Sequence, residues 1–413
     1  MLKNGLMVVC IEKKTAPILF FSIWYRCGSI CDAISRSGVA HFLEHMAFNT
    51  DKMTFDHFLE DNGAQKNAFT SRKTICFYEI FPKECIETVC LHEANRQTGM
   101  QIDDEVFMAE KRVIQEERGQ NVDNDPDGAQ TEAVLATIFN RRNGGIAILG
   151  WKHEIEAISP RDLLDFHGKW FAPNNAVIVI SGDFNLASLK ECLERHFGIN
   201  PPKDIPQFPL GTRGHQSNCQ KEIHYGSPKN GFGAAMEEIY HAPSMIKGGL
   251  RKTISLYMLI GILNQSEFFI KKTLKDILNC ASGVSFQYVR GEFASDIVCV
   301  HITAHSIDHL NEAEAAWKYL RQRLLQVGIT REDLDIAKQQ YRLSLAHRDD
   351  DIESMSNYIG WLLTRGYSLE EIQSIDNIVQ DLSVEECNDL LREIFSTEPH
   401  AIARTLPKGY DRE

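Results

Sequence analysis

His41, Glu44 and His45 stand together in the run His41-Phe42-Leu43-Glu44-His45. On a helix, positions i and i+4 project from one face about one turn apart, so the two imidazoles can hold one metal ion between them. Glu44 follows His41 by three residues and adjoins His45. That places a carboxylate at the rim of the same face, where it can take a proton from water without binding the metal. The order H-x-x-E-H is the inverse of the commoner zinc-protease motif. The bland alternative is a helix with two solvent-facing histidines. A third ligand decides between them, and the segment Glu110 to Arg118 offers one. Glu110 and Glu117 are seven residues apart, hence two turns apart on one helix face. One of them can complete a tetrahedral site while the other hydrogen-bonds a ligand histidine. No second ligand cluster is legible, and His57, His92 and His153 read as lone, solvent-exposed histidines.

These residues need elements to position them. Asn4-Gly5 reads as a turn into an apolar strand over Leu6 to Ile11, and Ile18 to Cys27 is a second strand rich in Phe, Ile, Trp and Tyr. After Gly28 and Ser29 the period changes to that of a helix, with Val39, Phe42, Leu43, Met46 and Ala47 as its apolar stripe and Ser35 or Ser37 as its cap. Strand signals return over Ala68 to Phe81. Helices are expected over about Lys83 to Thr98, Asp103 to Gln120 and Ser159 to Trp170, and a buried strand over Asn175 to Ser181. A Pro/Gly-rich linker, residues 206–220, separates an N-terminal domain, 1–205, from a C-terminal one, 221–413. The second half repeats the order of the first: strand Gly231 to Tyr240, helices over Leu250 to Asn264 and Phe268 to Leu278, then strands Val284 to Arg290 and Asp296 to Ala304. That is an internal duplication in the order of elements more than in identities. The fold class expected is α+β, with two domains that are each a mixed, mostly antiparallel sheet covered by helices.

Composition narrows the function. The 413 residues carry 57 acidic and 44 basic side chains, a formal charge of −13 without a basic stripe, which argues against nucleic-acid binding. A 43% hydrophobic content supplies a core and excludes general disorder. No apolar stretch approaches the roughly 18 to 20 residues of a spanning helix, so a soluble protein is expected. The 11 cysteines form no C-x-x-C pair. Free thiols in a reducing compartment are the expectation, and Cys27, Cys31, Cys85 and Cys90 read as small buried hydrophobes. The first ten residues read as turn plus strand, so no signal or transit peptide is expected. The thiols point to the cytoplasm, with the periplasm the alternative if a leader was removed.

Four segments carry a family resemblance: GSICDAISRSGVAHFLEHMAFNT, NAFTSRKTICFYE, AEKRVIQEE and GIAILGWKHEIEAISPRDLLDFHGKWFAPNNAVIVISGDF. In order and spacing they resemble the pitrilysin-type zinc peptidases, above all the mitochondrial processing peptidases and their short bacterial relatives. The resemblance implies one Zn2+ per chain, held by His41, His45 and Glu117, with Glu44 as general base and Glu110 as the second acidic residue of the site. It also implies that Asn67, Ala68, Phe69 and Thr70 lie on an edge strand that pairs with a substrate peptide. Members fold as two homologous α+β domains, and two such units close as a clamshell around an unfolded peptide.

The second half departs from the family pattern. Complete members carry an arginine and a tyrosine there that hold the substrate carbonyl, whereas this chain has no arginine between Arg251 and Arg290. Lys275 lacks the planar fork of an arginine, and Ser282 is no equivalent of a phenol. Two readings follow. In one the chain is the zinc-bearing subunit of a heterodimer whose homologous partner supplies the pair. In the other it is a homodimer with reduced activity or with another substrate grip, for instance through Tyr288 or Arg290. Core proteins of respiratory complexes, which resemble the family but act as scaffolds, supply a third reading.

Overall fold

The aromatic and β-branched runs become strands because such side chains fit a pleated, half-buried surface. The structure, a computed structural model, describes residues 1–48, 52–139, 145, 147–207, 221–227, 233–243, 245–289 and 296–407. In the first half the strands are β1 (Met7–Glu12), β2 (Ile18–Tyr25), β3 (Gln65–Thr70), β4 (Ile75–Pro82) and β5 (Ala176–Gly182). They pair in the order β1-β5-β2-β4-β3, parallel between β1 and β5 and antiparallel elsewhere, so β3 is an edge. The strand signals over Ala68 to Phe81 resolve into the β3–β4 hairpin. Its turn closes where the Ser71 N–H donates to the Thr74 carbonyl at 2.8 Å.

The helices of this half are α1 (Val39–Phe48), α2 (Lys52–Asp61), α3 (Ile86–Thr98), α4 (Asp104–Arg118), α5 (Pro126–Ile138), α6 (Lys152–Ala157), α7 (Pro160–Trp170) and α8 (Leu186–Phe197). Ser159 caps α7 through a capping box with Asp162. One core joins Phe42 and Leu43 of α1, Phe107 and Ile114 of α4 and Trp170 of α7 to Ile23, Phe77 and Ile178 of the sheet. β5 is buried along its whole length. Its other face is covered by the helix Ile352–Thr364, where Ser356 Oγ lies 2.7 Å from Ser181 Oγ and Gly360 packs on Trp24. A Cβ at Gly360 would sit 2.4 Å from the Trp24 ring, which fixes glycine there.

The start of α1 is clamped differently from the expectation. Neither Ser35 nor Ser37 caps it with its hydroxyl. The Asp32 carboxylate accepts from the Gly38 and Ala40 N–H groups at 2.8 and 2.9 Å, and Glu154 accepts from the Ser37 N–H at 2.8 Å. A carboxylate brings two acceptor atoms and a negative charge to the helix N-terminus, where a hydroxyl brings one. Gly38, at φ +92°, backs onto Gly150, at φ +88°; a Cβ at Gly38 would lie 2.7 Å from the Leu149 carbonyl oxygen.

The second sheet comprises β6 (Lys221–Ser227), β7 (Ala234–Ala242), β8 (Gly283–Val289), β9 (Asp296–Ala304) and β10 (Ala401–Pro407). Its order, β6-β10-β7-β9-β8, with one parallel pair between β6 and β10, repeats the first sheet strand for strand. The duplicated α+β architecture is therefore present in topology. Two compact units result, and each takes a segment from the other half of the chain. The first comprises Met1–Arg118, Ile146–Pro209 and Leu345–Leu369; the second comprises Gly119–Gly145, Leu210–Ser344 and Glu370–Glu413. Val134 and Phe139, at the end of α5, accordingly pack with Ile239, Ile297 and Ala401 of the second sheet. Residues 208–220 of the expected linker lie outside the described residues. Among the described residues no helix is long and apolar enough to cross a membrane.

If Asp32 holds the start of α1, Asp32→Ala should cost about 1 to 2 kcal/mol of stability, the usual scale for loss of an N-terminal cap. Urea unfolding of the variant beside the parent chain measures this. An unchanged midpoint would show that the clamp lies elsewhere.

Candidate metal centre

The apolar stripe of α1 turns inward, and Phe42 on it packs against α4. Phe42 stacks on Phe107 with ring centroids 4.7 Å apart, and Lys111 donates to the Glu156 and Ile158 carbonyls at 2.7 and 2.9 Å. These contacts bring α4 alongside α1. His41 and His45 then lie with ring centroids 4.6 Å apart, and both Nε2 atoms face Glu117 Oε2, at 3.5 and 3.4 Å. Glu110 reaches the far side of His45, its Oε2 3.3 Å from Nδ1. The ambiguity between the two glutamates is thereby resolved in space: Glu117 shares a point with both histidines, and Glu110 orients one of them.

Protonation fits the same point. Burial, reinforced by His45, pulls His41 down to about 4 and leaves it neutral, as a ligand nitrogen must be. Burial also opposes charge on His45, but the Glu117 bond, Glu44 and the Glu110 bond outweigh it and raise its pKa. Its hydrogen bond to His45 holds Glu117 below the usual carboxylate range. Two imidazole nitrogens and one carboxylate oxygen, with only a proton shared between His45 and the glutamates, form a donor set suited to zinc. A cation held there would displace that proton, with Glu110 holding the His45 tautomer that leaves Nε2 free to bind it.

Glu44 stands beside this point and outside the donor set. It is 8% exposed, and burial pushes its carboxyl up to about 7 despite the opposing pull of His45 and a 3.3 Å hydrogen bond from Thr70 Oγ1. A cation in the site would lower it from there. His41, Glu44, His45 and Glu117 line a cavity of about 510 Å³ together with Phe48, Asn67 to Thr70, Ile148 and Leu149. All four residues expected on the edge strand are thus on β3, along the wall of the cavity. Asn67 Oδ1 accepts from the Ala68 N–H at 2.8 Å.

Other expectations change. His57 and His153 are exposed, but His92 is not: it is 9% exposed and stacked on Phe55, with centroids 3.6 Å apart. Its Nε2 accepts from Arg96 at 2.9 Å, and burial beside that guanidinium keeps it neutral. Arg96 in turn is buried between Glu79 and Glu93. Tyr288 spends its hydroxyl on Asp296, at 2.7 Å, while Lys275 is exposed and Arg290 lies outside the described residues. The sequence reading missed Asp32, Glu154, Ile148 and Leu149. Asp32 lies seven residues before the helix, beyond the reach of any capping pattern, and only the fold brings the others to the site.

The duplicated fold and the donor set of His41, His45 and Glu117 are those of a known protein class, which comparison with known proteins identifies. Residues 7–151 match the family described as Insulinase (Peptidase family M16), and residues 157–341 match the Peptidase M16 inactive domain. The chain belongs to peptidase family M16. It is 27% identical over 202 residues to zinc protease PqqE of Helicobacter pylori, covering 48% of this chain and 45% of that one. It is 30% identical over 231 residues to the mitochondrial-processing peptidase subunit beta of Lentinula edodes, covering 55% and 48%. Those matches span about half the length of either relative. A match to the uncharacterized zinc protease YmxG of Bacillus subtilis is longer, at 22% identity over 98% of this chain and 97% of that one. In fold the chain is similar to a protease from Helicobacter pylori, with a TM-score of 0.87 at 19% identity over 98% of both chains. It is also similar to a chain of Complex III2 from Candida albicans, with a TM-score of 0.75 at 14% identity over 98% of this chain and 94% of that one.

Removing the orienting carboxylate should weaken the metal without abolishing its site. Glu110→Ala is expected to lower zinc affinity by about 10- to 100-fold, the usual effect of losing such a partner. Competition with a chromogenic chelator measures it, and parental affinity would remove Glu110 from that role.

Proposed function

We propose that the chain is a zinc metalloendopeptidase acting on unfolded or extended peptides, and the zinc-bearing subunit of a clamshell dimer. The observation that carries this is the convergence of His41 Nε2, His45 Nε2 and Glu117 Oε2 on one point, with Glu44 beside it in an open cavity walled by an edge strand. Zinc, when bound by those three residues, supplies Lewis acidity that acidifies water and polarises a carbonyl. The Glu44 carboxylate takes the proton of the attacking water and returns it to the leaving amine. Thr70 points that carboxylate by its hydrogen bond, and Glu110 steadies His45. Apart from the Ala68 N–H, which donates to Asn67 Oδ1, the outer edge of β3 is left to pair with an extended peptide, which a folded chain cannot match. The net charge of −13 favours basic peptides.

Stabilising the developing oxyanion needs a donor that this chain's second half does not offer in the family's form. The engaged Tyr288 hydroxyl weakens the homodimer reading and favours a homologous partner that supplies arginine and tyrosine. The similarity to a Complex III2 chain keeps a scaffold role as the second reading. An intact set of ligands and base supports the enzyme, because a scaffold needs neither.

Glu44→Gln should keep zinc and lose turnover on a quenched basic peptide by about 10²- to 10⁴-fold. Full activity in that variant would sink the mechanism, and a parent chain that binds no zinc would favour the scaffold. Thr70→Val should retain zinc but lower turnover, and move the acid limb of the rate profile to higher pH. The sign follows because the lost hydrogen bond favours the ionised carboxylate. An unmoved limb would show that Thr70 does not act on Glu44.

A further inference from the structure

The first unit carries a second group of metal-ligating side chains, between α3 and α8. Glu87 and Cys90 are three residues apart on α3, and Cys192 and His196 are four apart on α8, spacings that put each pair on one helix face. Across the pair of helices, Glu87 Oε1 lies 2.7 Å from His196 Nε2, and the free Cys192 thiol sits near enough to Glu87 and to Cys90 to act on the titration of both. Donor atoms of Glu87, Cys192 and His196 lie within 4.8 Å of each other. Both cysteines are buried and free, the His196 side chain is 12% exposed and that of Glu87 50%. This corrects the expectation that no second ligand cluster exists, whereas Cys90 is buried in the apolar core as expected.

The plain alternative is a surface ion pair over two packing thiols. It accounts for Glu87 with Arg195 and His196, at 2.6 and 2.7 Å, but not for the free, buried Cys192 thiol grouped within 4.8 Å of that carboxylate and imidazole. We propose that Glu87, Cys192 and His196 form a second binding site, for a thiolate-preferring divalent cation such as zinc, that ties α3 to α8, with the neighbouring Cys90 thiol drawn in as the fourth donor when the cation binds. Three of these donor atoms lie within 4.8 Å of one another, and a closed structural zinc site takes four of these types, with neighbouring ligand atoms about 3.3 to 3.8 Å apart for bond lengths near 2.0 to 2.3 Å. The sulfurs exclude magnesium and calcium as natural occupants. Binding releases one proton from each thiol. Two thiolates and one carboxylate then carry three negative charges against two on the ion, and the Arg195 guanidinium on Glu87 offsets the remainder. A cavity of about 590 Å³, lined in part by Glu87, Cys192 and Arg195, gives the ion a way in.

Cobalt(II) loading of the reduced, full-length chain tests this. A thiolate-to-cobalt charge-transfer band in the near ultraviolet requires a sulfur ligand, and the donors of the first site contain none. The expected result is such a band, bleached by zinc, with two equivalents of zinc per chain. Cys192→Ser should lose the band and one equivalent. Glu87→Gln, at an exposed position that leaves the core intact, should weaken cobalt binding about tenfold or more. Absence of the band from the parent chain, or its survival in Cys192→Ser, would overturn the proposal. Failure of the first site would look different: the band would remain, with a single equivalent of metal.

Discussion

Two imidazoles one helical turn apart make half of a metal site, and the rest of the first unit depends on bringing a carboxylate to them from another helix. The requirement is steric as much as chemical. His41 and His45 cannot meet Glu117 unless α4 runs close beside α1, and the Phe42–Phe107 stack sets that spacing. The beginning of α1 is held just as firmly, by Asp32, by Glu154 and by the close approach of Gly38 to Gly150. Side chains on rigid, clamped helices lose little freedom on binding an ion, so the alignment is made during folding.

Beneath this site lies a polar layer that an apolar core would not need. Glu79, Glu93, Arg96 and His92 are all buried, with Arg96 over the Phe77 ring and the His167 imidazole 2.9 Å from the Arg96 carbonyl. Burying two carboxylates is costly, and burial with Glu93 nearby drives Glu79 well above the ordinary carboxylate range. The arginine between them offsets that cost, and its charge also acts on Glu44, where it favours the ionised form. The same buried cation thus supports the fold of the sheet and the state of the base.

The two units share a strand order but not a chemistry. In each, one strand near the chain start runs parallel to the last strand of its sheet, and a helix follows the second strand. In the first unit that helix is α1, with two histidines and a glutamate. The corresponding helix of the second unit, Met245–Leu263, contains no histidine, aspartate or glutamate. Topology is set by apolar patterning, which tolerates many side chains at the same place, whereas a metal site fails with the loss of one ligand.

The sequence by itself determined the donor types, their helical spacing and the repeated order of strands and helices, because these are written in local periodicities of two and 3.6 residues. Asp296 to Ala304 is legible to the residue, since its apolar run is bounded on both sides by polar residues. What it did not determine are pairings between residues far apart in the chain. The choice of Glu117 over Glu110 as the shared donor, the carboxylate clamp of Asp32 and the burial of His92 all follow from how helices lie on the sheet. So does the meeting of Cys90 with Cys192, about one hundred residues apart. Each half of that cluster carries a spacing that thousands of ordinary helices share. Only close packing of α3 against α8 turns two unremarkable helix faces into one set of ligands, because a metal site is defined by distances of a few ångströms that no local pattern encodes.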